Sequence, residues 1–489
     1  MVEPLNVLFL AAEADPLVKI GGLGDVAGSL PAALKALPES PDVRLVLPFY
    51  PHINQSEEDL KLVAGFYISH NQGPILAEVF RTIINGVPTY LVDGVPIAES
   101  PAVYSGDATT DGTKFTFFSL AAMQLVKILD WQPDILHAHD WHTAPAVYNL
   151  RLIRESDNFF RNTKSLLTVH NLPYLGYDTE LSLQAFGLPR AHMSPLPKWA
   201  EHLPLPLGLL TADKINTVSS GYAKEILTPE FGANLDGFLK TRQDDISGIL
   251  NGLDTKVWNP KTDFHLPATF SAETLKNRKE NKKKLLIELN LDPDPNKPML
   301  GMINRLDYQK GVDLVPDALR KIQDLDWQAV ILGTGDHQLE ESTAQLDRDL
   351  VQVRTVLRYD GDLARRIYGG SDLILIPSRY EPCGLTQMIG MHYGCVPLAR
   401  ATGGLKDTII DYQLGKAGES TGFLFEESTS QELADTIRRA LGIYQDQRRW
   451  QGLQRRGMRK DFSWERSAKK YLELYQELVE GDTGDMVTG

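Results

Sequence analysis

Residues 18–30 read VKIGGLGDVAGSL, directly after the apolar run NVLFLAA at residues 6–12. A continuous apolar run, a glycine-rich turn and then a helical pattern is the signature of a strand feeding a helix in a parallel sheet. The four glycines let backbone approach a ligand, and the helix start offers free N–H groups and the positive end of a dipole. The spacing matches neither GxGxxG nor GxxxxGK[ST], and Lys19 precedes the glycines instead of following them. Read alone, the stretch is either half of a phosphate cradle or a strand–turn–helix link with a solvated lysine.

The same alternation continues along the chain. Further strands are expected over Val43–Tyr50, Asp134–Asp140, Ser165–His170 and Ile215–Ser219. The pattern weakens through a polar, proline-dotted stretch whose middle, Ala272–Leu289, reads as a solvated helix. It restarts at Met299–Asn304, Gln328–Gly335, Val353–Tyr359, Leu373–Ser378 and Val396–Arg400. These runs predict an α/β protein with two doubly wound parallel sheets, one domain over residues 1–262 and one over 263–462. Ligands of such sheets bind at the carboxyl ends of the strands, so a cleft between the domains is the expected site.

Composition narrows the function. The 489 residues carry 50 Lys and Arg against 64 Asp and Glu, a net charge of −14, which argues against nucleic acid or an anionic membrane as partner. Two cysteines make a disulfide scaffold or zinc module a poor fit and suggest a reducing, cytoplasmic setting. The N-terminus lacks a basic segment before its short apolar run, so no signal peptide is expected, and no stretch has the length of a membrane span.

Five further stretches carry chemistry. In SRYEPCGLTQ, Glu381 falls at a strand end, and backbone N–H groups of Cys383, Gly384, Leu385 and Thr386 precede a helix. ATGGLKDTI supplies a second such turn. In INRLDYQKGVDLV, Arg305 and Lys310 offer a fork and a point charge suited to a diphosphate. HAHDWHTA places three histidines within six residues; sugar binding by hydrogen bonds and ring stacking fits it better than a zinc site. TVHNLPYLG adds His170 and Asn171. Asp-x-Asp spellings at 292–294, 347–349 and 360–362 fit a turn, a helix and a helix cap better than a metal pair, so no metal cofactor is expected.

Together, KIGGLGDVAGSLP, HAHDWHTA, TVHNLPYLG, TVSSGYAKEI, GILNGLDTKVWNP, NRLDYQKGVDLV, IYGGSDLILIPSRYEPCGLTQ and ATGGLKDTI resemble, in content and order, bacterial glycogen synthases and plant starch synthases. The resemblance implies a GT-B fold, with two Rossmann-like domains facing each other across a deep cleft and a C-terminal helix (463–479, within the segment 463–489) crossing back. It implies retaining transfer of glucose from ADP-glucose to the nonreducing 4-hydroxyl of an α-1,4-glucan. Lys19, Arg305 and Lys310 would grip the diphosphate with backbone at Gly21, Gly22, Leu385 and Thr386. Tyr359 would stack on the base, and Glu381, His170 and Asn251 would hold the donor glucose. Glu13, Tyr104, Asp140, Trp141 and Asn171 match acceptor positions.

Ile20 stands where threonine is the commoner spelling, and Arg358 where glycine is frequent. A covalent intermediate on Glu381 and a front-face route both fit these residues. The competing readings are a small-acceptor transferase of the sucrose- or trehalose-phosphate-synthase kind and a noncatalytic glucan-binding protein.

Overall fold

The computed structural model describes residues 4–54, 59–413 and 418–481. In the first unit, the strands are β1 (Asn6–Leu10), β2 (Asp42–Pro48), β3 (Lys61–Ile68), β4 (Ile75–Ile84), β5 (Val87–Asp93), β6 (Ile135–His139), β7 (Lys164–Val169), β8 (Lys214–Thr217) and β9 (Ile246–Gly248). They form one sheet in the order β3-β4-β5-β2-β1-β6-β7-β8-β9. The central strand β1 pairs in parallel with β2 and β6, and its residues Val7 to Leu10 are wholly buried. Burial on both faces is what its unbroken apolar run encodes.

The β3–β4 and β4–β5 pairs are antiparallel and differ in sequence texture. Along β4, buried Ala77 and Val79 alternate with exposed Glu78 and half-buried Phe80, the period of a sheet wet on one face. Asn85 and Gly86, at φ 49° and 78°, close the two-residue hairpin between β4 and β5. This extension lies outside the doubly wound pattern and was not anticipated from the apolar runs.

The second unit holds β10 (Met299–Ile303), β11 (Gln328–Leu332), β12 (Val353–Val356), β13 (Leu373–Ile376), β14 (Val396–Arg400) and β15 (Phe423–Phe425). All pairings in its sheet, β12-β11-β10-β13-β14-β15, are parallel. Trp327 and Trp450 are buried in its core beside Leu300, Val315 and Ile437.

The chain divides after Gly252, ten residues before the expected boundary, and the helix Trp464–Glu480 belongs with the first unit. The segment 253–262 packs with the second unit: Leu253 N–H donates to the Phe462 carbonyl (2.6 Å) and Arg365 donates to the Val257 carbonyl (3.0 Å). Just beyond it, buried Asp263 accepts from Arg365 (3.0 Å) and from the Tyr393 hydroxyl (2.5 Å).

The stretch expected to be a solvated helix also differs. Its α-helix is Arg278–Glu288, and its inner face is buried. Arg278 donates to the carbonyls of Tyr393, Tyr368 and Ser371, while Lys282 pairs with Asp372 at 2.6 Å. Charged residues that look solvated in sequence here pin the helix to the ends of two neighbouring helices and to the residue before β13, because each finds a buried partner.

The C-terminal helix lies against the helix Gly22–Lys35. Ser467 donates to the Leu250 carbonyl (2.6 Å), Asn216 donates to the Tyr471 hydroxyl (3.0 Å), and Tyr475 meets His137. Among the described residues, no helix is long and apolar enough to cross a membrane.

Candidate active site

The glycine turn is built around a buried carboxylate. Glu13, 2% exposed, follows β1. Its Oε2 accepts the N–H groups of Ile20 and Gly21, and its Oε1 accepts the Tyr104 hydroxyl at 3.1 Å. The Gly21 N–H, a candidate phosphate donor in the sequence, is therefore engaged by Glu13 in this state. Gly24 packs tightly here: a Cβ on it would stand 3.1 Å from Glu13 Oε2 and from Lys19 Cγ. Gly22 opens the helix, and a Cβ on it would meet nothing within 4 Å, so its surface faces open space. Lys19 reaches forward to Asp25 in the first helical turn (2.5 Å). Ile20 points outward, 64% exposed.

Tyr104 is held from below. The loop before it is fastened by Lys114, fully buried, which donates to Ser100 Oγ (3.1 Å) and to the carbonyls of Ala102 (3.0 Å) and Val103 (2.9 Å). Its charge is balanced by Asp111 at 2.7 Å, which also accepts the Ser105 N–H. A buried cation this fully hydrogen-bonded is tolerable where a bare one is not. This pair sits at i,i+3 on a helix and reads as surface charge in sequence. Its sequence signal is the apolar run that begins at Phe115, directly after Lys114.

The HAHDWHTA stretch spans the end of β6 and the start of the helix Asp140–Ile153. Asp140 takes φ 55°, a left-handed conformation that Asp tolerates better than most residues. Its Oδ1 accepts the N–H groups of His170 (2.7 Å) and Asn171 (3.4 Å), joining two loops thirty residues apart. Burial pushes its carboxyl up to about 7. Trp141, half-buried, stacks at a tilt on His142 (4.5 Å between centroids) and edge-on to Phe115 (5.3 Å). Tyr104 lies 5.0 Å from the same His142 ring, so one aromatic cluster contains both. His142 and His170 are each lowered to about 3 by burial and remain neutral. Among the described residues, no group of three His, Cys, Asp or Glu side chains is placed to hold a metal ion. Asn171 and Asn251 each carry a buried side-chain oxygen with no partner, leaving two acceptors available to a ligand.

In the second unit, Glu381 follows β13 and is held in place by three hydrogen bonds. Lys310 Nζ lies 2.7 and 2.9 Å from its two oxygens, and the Ser378 hydroxyl donates at 2.8 Å. Lys310 and Glu381, seventy-one residues apart, thus form one mostly buried pair. Ser378 went unnoticed in sequence, although it ends the apolar run LILIPS. Arg305 is exposed and lies 3.4 Å from Asp307, whose other oxygen accepts the Lys310 N–H (2.9 Å). Cys383 is buried, and Gly384 takes φ 77° before the helix Thr386–His392, with Leu385 as its N-cap. Gly404 approaches so closely that a Cβ would lie 2.0 Å from the Cys383 carbonyl oxygen. Tyr359 is 90% exposed, its ring open to a stacking partner. Arg358 turns away to Asp360 (2.8 Å), and Asp360 caps the helix Gly361–Gly370 through Leu363 N–H (2.9 Å). The third Asp-x-Asp spelling is therefore a helix cap.

Comparison with known proteins places this arrangement. The starch synthase catalytic domain family matches residues 6–241, and glycosyl transferases group 1 matches residues 284–453. Glycogen synthase 2 of Geobacter sulfurreducens is 38% identical over 481 residues, covering 96% of this chain and 98% of its own. A glycogen synthase of Clostridium beijerinckii is 39% identical over 484 residues, covering 98% and 100%. The catalytic domain of starch synthase IV from Arabidopsis thaliana, solved with ADP and acarbose, superposes with TM-score 0.88 at 32% identity, covering 98% of this chain and all of that one. A sucrose-phosphate synthase from Thermosynechococcus elongatus shares the fold alone, at 18% identity and TM-score 0.61 over 98% of this chain and 100% of that one. With two doubly wound units and full-length likeness to these enzymes, the chain has the GT-B fold and belongs to the glycogen and starch synthase family of glycosyltransferases.

Proposed function

We propose that this chain transfers glucose from ADP-glucose to the nonreducing-end 4-hydroxyl of an α-1,4-glucan, with retention at the anomeric carbon. The observation that carries the reading is the buried Lys310–Glu381–Ser378 cluster in a chain similar to glycogen synthases over its whole length. A carboxylate fixed by three hydrogen bonds is preorganised to stabilise positive charge on a sugar carbon, and needs no rearrangement as that charge develops. Lys310 spends two of its three N–H donors on Glu381 and keeps one for a diphosphate oxygen. Lys19 and Arg305 serve the same leaving group, with Asp25 and Asp307 as the partners they exchange for it. These cations neutralise the departing charge, so the proposal assigns no metal to the site.

Tyr359 offers the base a stacking face, and Asn251 and His170 serve the donor glucose. Glu13, Tyr104, Asp140, Trp141 and Asn171 form the acceptor side: buried carboxylates and amide oxygens for sugar hydroxyls, beside aromatic faces for the rings. ADP is favoured over UDP by the ADP held in the starch synthase IV structure. The two buried cysteines, Cys383 and Cys395, form no disulfide, which suits a reducing cytoplasm. Lys19→Ala and Glu381→Ala should each lower kcat by two or more orders of magnitude, a loss in the range of about 10²–10³ for one electrostatic stabiliser. Near-normal turnover in either folded variant would sink the assignment.

A further inference from the structure

His170 is not alone. Its Nε2 lies 2.9 Å from Nδ1 of His139, at the end of β6. Both rings are buried and neutral, burial lowering each. A hydrogen bond between two neutral imidazoles uses one proton, so one nitrogen donates and the other accepts. The direction follows from the far side of His139, whose Nε2 is buried and has no partner. If His170 were the donor, His139 would carry its own proton on Nε2 and bury an N–H that meets no acceptor. Buried N–H groups without acceptors are rarer than acceptors without donors. With the proton on Nδ1, the orphan is only a lone pair.

The His139 ring is well placed to hold this geometry. It stacks between Phe9 (4.4 Å) and His137 (4.2 Å), and its backbone N–H and carbonyl are both tied to Thr143 Oγ1, at 2.5 and 2.8 Å. His137 is itself fixed by Thr168 (2.8 Å) and by Tyr475 of the C-terminal helix (2.7 Å). Thus the ring that meets His170 has little freedom to turn.

We infer that His139 is a positioning residue that sets the tautomer of His170: His139 Nδ1–H donates to His170 Nε2, so His170 carries its proton on Nδ1 and offers that N–H to an oxygen of the bound substrate. The second half rests on the proposed role of His170 in the donor site. In this form His170 is a fixed hydrogen-bond donor and has no lone pair free to act as a base.

The test uses the full-length protein with ¹⁵N-labelled histidine and long-range ¹H–¹⁵N correlation, His170 being assigned by its loss in His170→Asn. The expected spectrum has a protonated Nδ1 and an unprotonated Nε2 at His170. His139→Asn, whose amide can donate from the same position, keeps that pattern; His139→Leu, with no donor, loses it. Steady-state kinetics with ADP-glucose and a maltooligosaccharide should show kcat reduced about tenfold or more in His139→Leu, the order expected for one lost hydrogen bond, with KM nearly unchanged and most of kcat restored in His139→Asn. A protonated Nε2 at His170 in the unmodified protein, or an unaltered tautomer in His139→Leu, overturns the inference. An altered tautomer with unaltered kcat instead overturns the assignment of His170 to the substrate.

Discussion

The pairing of Lys310 with Glu381 can be measured by a double-mutant cycle. Lys310→Met keeps length and bulk but removes the charge, leaving Glu381 with the Ser378 hydroxyl alone. The two side chains are 14% and 11% exposed, so the orphaned carboxylate has little access to water. Breaking a buried pair from one side costs about 3–5 kcal/mol; the residual exposure and Ser378 place this case near the lower end, at about 3 kcal/mol. Glu381→Gln orphans the ammonium in the same way. The double variant buries no unpaired charge, so its loss should fall short of the sum of the singles by about 2 kcal/mol. Urea unfolding followed by tryptophan fluorescence is suited to the measurement, because Trp327 and Trp450 are both buried in the core of this unit. All three variants should lose most of their turnover. Additivity to within about 0.5 kcal/mol would refute the reasoning, since it would mean that the two groups do not depend on each other.

Three other outcomes follow from single side chains. Asp140 has its carboxyl raised to about 7 from 3.8, so the folded chain binds that proton more tightly than the unfolded one and its stability declines as pH rises from about 4 through 7. Asp140→Asn, which also tolerates positive φ, should gain on the unmodified protein over that window by up to about 4 kcal/mol, read as denaturation midpoints at pH 5 and pH 8. Gly384→Ala should destabilise by about 1–3 kcal/mol and depress turnover, because φ is 77° and the new Cβ would lie 2.5 Å from Gln387 Oε1; an unchanged thermal midpoint would contradict this. Tyr475→Phe removes one buried hydrogen bond to His137 and should cost about 1 kcal/mol in the same melts.

The fold was legible wherever strands are buried on both faces. β1, β10 and β13 each appear as unbroken apolar runs and β6 as one interrupted by His137 and His139, and the segments that follow them carry Glu13, Arg305, Glu381 and His142. The antiparallel extension was not, because alternation such as that of β4 resembles an ordinary polar surface, although Asn85-Gly86 marks its hairpin. Within the site, residue types were legible but their partners were not. Nothing local in the chain says that Glu13 takes the N–H groups of Ile20 and Gly21, or that Lys310 and Glu381 meet. Those bonds join segments 7 to 71 residues apart, and burial selects them by leaving each charge no other partner. Tyr475 and the Lys114–Asp111 pair are cases of the same kind, their roles set by what the fold brings to them.

The most direct measurement is product analysis after incubating the purified protein with ADP-[¹⁴C]glucose and a maltooligosaccharide of defined length. The expected result is label in chains longer by one or more α-1,4-linked units, released as the terminal sugar by an exo-acting nonreducing-end hydrolase, with one ADP formed per glucose added. Label appearing only as free glucose, or on a small acceptor such as fructose 6-phosphate but never on the glucan, would contradict the assignment.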